Sequence, residues 1–205
     1  IMLSGAMDVV RSVAEHANIP VAMTLLGIGS LPAQHPLNLG MMGMHGEAWV
    51  NSAIQEADLL LGFGMRFDDR VTGNLATYAP NAKKIHIDID PAEFNKNVKV
   101  DVALAGDLRS VLEEMLPHIS KGDRSAWLGT IDEMKGDVAV RDIQNLPDSG
   151  HLYAAHVIND LWRVTEGNAI VVTDVGQHQM WEAQYYKHEH PRTLITSGGL
   201  GTMGY

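Results

Sequence analysis

The sequence contains no cysteine. That absence removes disulfides, thiolate metal sites and cysteine nucleophiles from consideration, and is compatible with a reducing compartment. Long hydrophobic runs are missing too: stretches such as Ala57 to Phe63 fall far short of the roughly 20 apolar residues that cross a bilayer. Basic charge is scarce, since 15 Lys and Arg stand against 25 Asp and Glu, the formal charge is −10, and no basic run exceeds Lys83-Lys84. No electrostatic footprint for nucleic acid is present. Ile1 to Gly5 lacks the basic and apolar regions of a signal peptide, and does not read as a natural start. What remains is 45% hydrophobic and 20% charged residues in a chain of 205. This is the composition of an ordinary globular protein of one or two domains, and two is the expectation.

From the start to about Pro117 the patterns alternate. Ala6 to Ala17 has helical spacing, Pro20 to Leu25 reads as a strand, Gly46 to Ala57 as a helix and Asp58 to Gly64 as a buried strand. Lys84 to Asp90 and Val102 to Gly106 read as further strands, and a helix over Asp107 to Leu116 begins at its capping aspartate. Near-continuous apolar strands separated by helices predict a doubly wound, mostly parallel α/β sheet. The stretch Pro117 to Gly150 is polar and scattered with Gly and Pro, which predicts an interdomain connection, with a helix possible over Trp127 to Met134. A second βα rhythm starts at His151, with a helix to about Arg163 and strands over Ala169 to Asp174 and Thr193 to Ser197.

Several strings carry chemistry, each with a plainer reading beside it. Gly62 to Arg70 follows a strand end, where α/β sheets bind ligands and glycines admit a nucleotide, although two arginines and two aspartates in five residues also make a solvated, ion-paired loop. His86-Ile87-Asp88-Ile89-Asp90 and Ala105-Gly106-Asp107 end strands in acid, which suits either ribose hydroxyls or helix capping. Gly40 to Glu47 is rich in glycine and methionine, suited to a planar ring lying on backbone or to core filling, and His45 is by itself more often structural than catalytic. Asp174 to Trp181 opens a helix after a strand, a place where free N–H groups hold diphosphate, with Gln177 and His178 adding donors. Gly199 to Gly204 fits G-x-G-x-x-G after a strand, or simply a tight turn. His188-Glu189-His190 reads as surface rather than a metal site, because adjacent residues do not share a helix face.

Taken together, Leu39-Gly40-Met41-Met42-Gly43-Met44-His45-Gly46, Gly64-Met65-Arg66-Phe67-Asp68-Asp69-Arg70-Val71-Thr72-Gly73 and Val175-Gly176-Gln177-His178-Gln179-Met180-Trp181 resemble the acetolactate (acetohydroxyacid) synthases. These are thiamine-diphosphate enzymes that also carry FAD. The resemblance implies most of a middle FAD-binding domain over residues 1–118, lacking its first strand, a connection over 119–150, and the opening of a diphosphate-binding domain over 151–205. It implies that Thr24, Leu25, Met44, His45, Gly64, Arg66, Asp68, Val71, Asp88, Ile89, Gly106 and Asp107 line FAD. Gly176, Gln177, His178, Gly201 and Met203 would meet thiamine diphosphate, Met203 from below the thiazolium ring, and Arg70 would bind the acceptor 2-ketoacid's carboxylate. The implied reaction decarboxylates pyruvate and transfers the two-carbon unit to pyruvate or 2-ketobutyrate in branched-chain amino-acid biosynthesis. Mg²⁺ is implied, with its ligands beyond Tyr205, so the isolated chain is expected to be inactive. A homo-oligomer, a regulatory small subunit, and a bacterial cytoplasm or eukaryotic organelle are implied likewise. The alternatives are another thiamine enzyme, such as pyruvate oxidase or glyoxylate carboligase, and a free-standing nucleotide-binding module.

Overall fold

In the computed structural model, which describes residues 1–138 and 150–205, every strand pairing is parallel. Parallel neighbours need crossover connections, and helices supply them. The order is α1 (Met7–Ala17), β1 (Val21–Met23), β2 (Asn38–Met41), α2 (Ala48–Glu56), β3 (Leu59–Phe63), α3 (Asp69–Thr72), β4 (Lys83–Asp88), β5 (Val102–Ala105), α4 (Leu108–Met115) and α5 (Ser125–Val138). After residue 149 come α6 (Ala154–Thr165), β6 (Val171–Val172), α7 (Gln177–Tyr185) and β7 (Leu194–Ile195).

The first unit has helices on two faces of its strands because apolar side chains alternate across them. Val9, Val10 and Val13 of α1 and Leu108 and Leu112 of α4 pack with Phe63, Ile85 and Ile87 on one face. On the other, Trp49, Val50 and Ile54 of α2 and Ile131 of α5 pack with Leu60, Phe67 and Tyr78. Burial of Tyr78 pushes its phenol up to about 12. Helix α1 stops where Asn18 turns left-handed at φ 53°. Asp107 caps α4 by accepting from the Ser110 N–H at 3.2 Å, the capping use that its position predicts.

The sheet of this unit is in two pieces, β1-β2 and β3-β4-β5. Val21 to Met23 and Leu59 to Phe63 together border an apolar cavity of about 390 Å³ between the pieces. Thus the free edges of β1 and β3 face a common space.

Two features depart from the sequence reading, and a third extends it. Asn38–Met41 forms β2 beside β1; four residues that include glycine and asparagine, both depleted in strands, carry too little pattern to read as one. Asp69–Thr72 forms a single helical turn, α3, in place of a loop. The helix expected over Trp127 to Met134 is α5, which docks on α2 with Ile131 in the core and the Lys135 ammonium over the Trp49 ring at 5.3 Å. The remainder of the expected connection, including Pro147, lies partly outside the described residues.

The second unit is smaller, with α6 against α7 and one strand pair, β6-β7, of two paired residues in each strand. His188 corrects an expectation: it is not surface but 1% exposed, with Nε2 at 2.7 Å from Glu182 Oε1 and Nδ1 at 2.7 Å from Thr193 Oγ1. Its reach back to α7, six residues upstream, is a tertiary contact that local spacing does not report. The two units touch through backbone and side chain alike, with the Ala33 N–H donating to the His188 carbonyl at 3.1 Å and Arg192 to the Met2 carbonyl at 3.0 Å.

Candidate cofactor site

A cleft of about 860 Å³ opens between the units. The first unit walls it with Thr24 and Leu25 after β1, Met44 and His45 after β2, and Gly64 to Val71 after β3; the second adds Val175, Gln179, Met180, Ala183 and Ser197 to Gly201. Each segment follows the carboxyl end of a strand or opens α7, the edge at which parallel sheets hold ligands.

The turn after β3 is built on a buried ring. Phe67, left-handed at φ 50°, sets its ring edge-on to Tyr78 and His86 at 6.2 and 5.0 Å, which holds the charged residues beside it toward the cleft. Asp68 then caps α3, accepting from the Arg70 N–H at 3.1 Å, and pairs with the Arg66 guanidinium at 3.2 Å. Arg70 differs. Its side chain is 70% exposed, and its nearest partners, the Asp69 carboxylate and the Met44 sulfur, both stand at 3.9 Å. At that distance both contacts are weak. The ion-paired loop therefore accounts for Arg66 and Asp68, and leaves the Arg70 fork available.

The loop after β2 is wedged against this turn. The Met44 N–H donates to the Arg70 carbonyl at 2.7 Å, and the Asn51 side chain holds both the N–H and the carbonyl of Gly43, at 2.8 and 2.9 Å. Only glycine fits at 43: φ is +99°, and a Cβ would sit 2.6 Å from the Arg70 carbonyl oxygen. Of the methionines here, Met41 and Met42 are buried while Met44 is exposed.

The structure divides the twelve residues expected at FAD into two groups. Thr24, Leu25, Met44, His45, Gly64, Arg66, Asp68 and Val71 share the cleft. Asp88, Ile89, Gly106 and Asp107 lie outside its walls, at the ends of β4 and β5, where the Gly106 N–H donates to the Asp88 carbonyl at 3.0 Å. Ile89 is 74% exposed. Asp88 accepts from the Asp90 N–H at 2.9 Å. Gly64 bridges the groups, donating to the Ile87 carbonyl at 2.8 Å.

Across the cleft, Gly176 begins α7 with φ +151° and no side-chain cap. Gln177 and His178 are exposed on its first turn. An uncapped helix start presents free N–H groups and the positive end of the helix dipole, which fits a diphosphate. The glycine-rich turn is held in place by Asp174, whose Oδ1 accepts from the Val175 N–H at 2.7 Å and the Gly204 N–H at 2.8 Å. These two bonds hold its carboxyl below the usual range, Val175 contributing most. The Thr202 N–H donates to Ser197 Oγ at 2.8 Å. Gly201 lines the cleft, whereas Gly176, Gln177, His178 and Met203 do not.

Sequence reasoning missed the residues that hold these walls together. Gln179 is buried and donates to Thr196 Oγ1 at 2.7 Å, Asn51 grips Gly43, and Gln184 donates to the His45 carbonyl at 2.6 Å. All three are amides on helices, and no spacing rule separates them from solvated positions.

Comparison with known proteins places the chain among relatives. The chain is 42% identical to the probable acetolactate synthase large subunit of Methanocaldococcus jannaschii over its whole length, covering 36% of that protein. It is 45% identical to the acetolactate synthase large subunit of Lactococcus lactis over 98% of the chain and 35% of the relative. It is 42% identical to the chloroplastic acetolactate synthase 1 of Oryza sativa over 98% of the chain and 32% of the relative. The chain thus spans about a third of the length of the curated relatives it matches. The family "Thiamine pyrophosphate enzyme, central domain" matches residues 1–115, and "Thiamine pyrophosphate enzyme, C-terminal TPP binding domain" matches residues 174–205. Two family regions, met in order and divided between the two walls of one cleft, identify this chain as a member of the thiamine pyrophosphate enzymes.

Proposed function

We propose that this chain is the cofactor-carrying part of an acetolactate synthase large subunit, which decarboxylates pyruvate and joins the two-carbon unit to pyruvate or 2-ketobutyrate. The observation that carries this reading is the cleft itself: the free Arg70 fork on one wall faces the turn and helix of a thiamine pyrophosphate-binding region on the other. Identities of 42–45% to the three acetolactate synthases support it over the other thiamine enzymes and over a bare nucleotide-binding module.

Thiamine diphosphate, when bound, supplies the electron sink for decarboxylation. The N–H groups at the start of α7, with Gln177 and His178, hold its diphosphate, while Gly201 and Met203 support its rings. FAD would be held at the strand ends, by Thr24, Leu25, Met44, His45, Gly64, Arg66, Asp68 and Val71. Asp88, Ile89, Gly106 and Asp107 would hold it at the ends of β4 and β5. It does no net redox work in this reaction. Mg²⁺ belongs to the same reading as the partner of the diphosphate. The same reading carries assembly with further copies of the large subunit, and a small regulatory subunit.

Arg70 binds the carboxylate of the acceptor ketoacid. A planar guanidinium meets both carboxylate oxygens, where lysine offers a point charge. In the native gene product that carries these residues, Arg70→Lys is expected to lower the efficiency of acceptor use by roughly 30- to 1000-fold, the equivalent of ~2–4 kcal/mol. Release of CO₂ from pyruvate continues. Rapid-quench measurement of CO₂ beside steady-state acetolactate assays separates the two steps. Acceptor use at unmodified efficiency would return Arg70 to the role of a solvated loop residue.

A further inference from the structure

We infer that Gln184 is a positioning residue that ties the acceptor-binding wall of the cleft to the diphosphate-binding wall. The inference rests on the catalytic reading given above and adds a residue to it. Gln184 lies on α7, the helix whose first turn faces the diphosphate, and its Nε2 donates to the His45 carbonyl at 2.6 Å, across 139 positions of sequence. That carbonyl belongs to a loop with little freedom of its own. On one side the Asn51 side chain grips Gly43 by both backbone groups. On the other, the Met44 N–H is bonded to the Arg70 carbonyl at 2.7 Å, and Gly43 lies so close to that same oxygen that a Cβ there would sit 2.6 Å from it.

The consequence is a rigid path: α7, Gln184, the 43–45 loop, the backbone of Arg70. Arg70 itself has no strong side-chain partner, so its fork is aimed by where its backbone is held. A shift of α7 relative to the first unit is passed to Arg70 through one side-chain hydrogen bond. Removing the bond frees the loop at its outer end while leaving the Asn51 and Arg70 contacts in place. The distance between acceptor carboxylate and diphosphate then loses its definition, although neither group loses a direct ligand.

The test is Gln184→Leu, which keeps the bulk and removes the donor. On the chain itself, amide hydrogen exchange at residues 43–46 accelerates, while exchange in α2 and the melting temperature change little. In the native gene product, KM for the acceptor ketoacid rises roughly 3- to 10-fold, the range of one lost hydrogen bond, while the rate of CO₂ release stays within twofold. Gln184→Lys, which restores an N–H donor of comparable reach, recovers both the slow exchange and the acceptor KM. Unchanged exchange at 43–46 overturns the inference, as does a loss that falls equally on CO₂ release and on transfer. Absence of acetolactate from the unsubstituted gene product would instead defeat the reading on which it rests.

Discussion

Asp174 shows how much of the second wall depends on one carboxylate. It holds the N–H groups of Val175 and Gly204 together, so the end of β6 and the glycine-rich turn share a single anchor. Hydrogen bonding to the charged form depresses its pKa in the fold. The anchor is therefore complete above the ordinary aspartate value of about 3.9, and is lost as pH falls through the lower folded value. The Gly204 amide signal followed by NMR should shift only at pH values below about 3.9, and in Asp174→Ala it should already take the released position at neutral pH. A Gly204 signal flat through the acid range would mean that the turn is held by other contacts. The sequence placed Asp174 at a strand end and the turn after a strand, yet nothing in it joined them, because the bond spans 30 positions. Arg70 is the contrary case: the resemblance named it, but only geometry separates it from Arg66, which has its own aspartate.

Helix α5 carries a similar lesson about elements. Its sequence lies in a stretch that reads as polar and broken, and the helix there was foreseen over Trp127 to Met134, but its docking on α2 was not. Apolar residues at a few positions of an otherwise polar helix give a weak periodic signal, and burial of Ile131 to 2% exposure is what reveals the packing. Ile131→Ala is expected to cost ~2–5 kcal/mol, as for other buried large-to-small changes. A helix serving only as a tether would lose about 0.5 kcal/mol or less. Urea denaturation midpoints at constant slope distinguish the two. The strands of the first unit were readable because both faces are covered and their apolar runs are nearly continuous. Strand β2 and the turn α3 were not, since each owes its conformation to a partner: β1 pairs with one, and Asp68 caps the other.

In the molecule as a whole, the proposed flavin site is distributed over the ends of β1, β2, β3, β4 and β5, and the sheet that aligns those ends is in two pieces. Among the described residues no ladder joins β1 to β3, so alignment across the gap rests on side-chain packing and on the one backbone bond from the Met44 N–H to the Arg70 carbonyl beyond the strand ends. This chain should accordingly bind FAD more weakly than micromolar, short of about −8 kcal/mol, when titrated by quenching of flavin fluorescence. Sub-micromolar binding would show that the two pieces are already in register. The overall α/β class and the order of the two units were evident from patterns and motifs, whereas the division of the sheet follows from strand pairing, which no local pattern encodes. That division also governs how the chain behaves in a crowded solution. Two strand edges with no ladder partner among the described residues, set around an apolar space, form a template for any extended segment that comes within reach. In storage or overexpression of this 205-residue chain, association is then expected to start at the seam between β1 and β3, rather than at its acidic surface or its cleft.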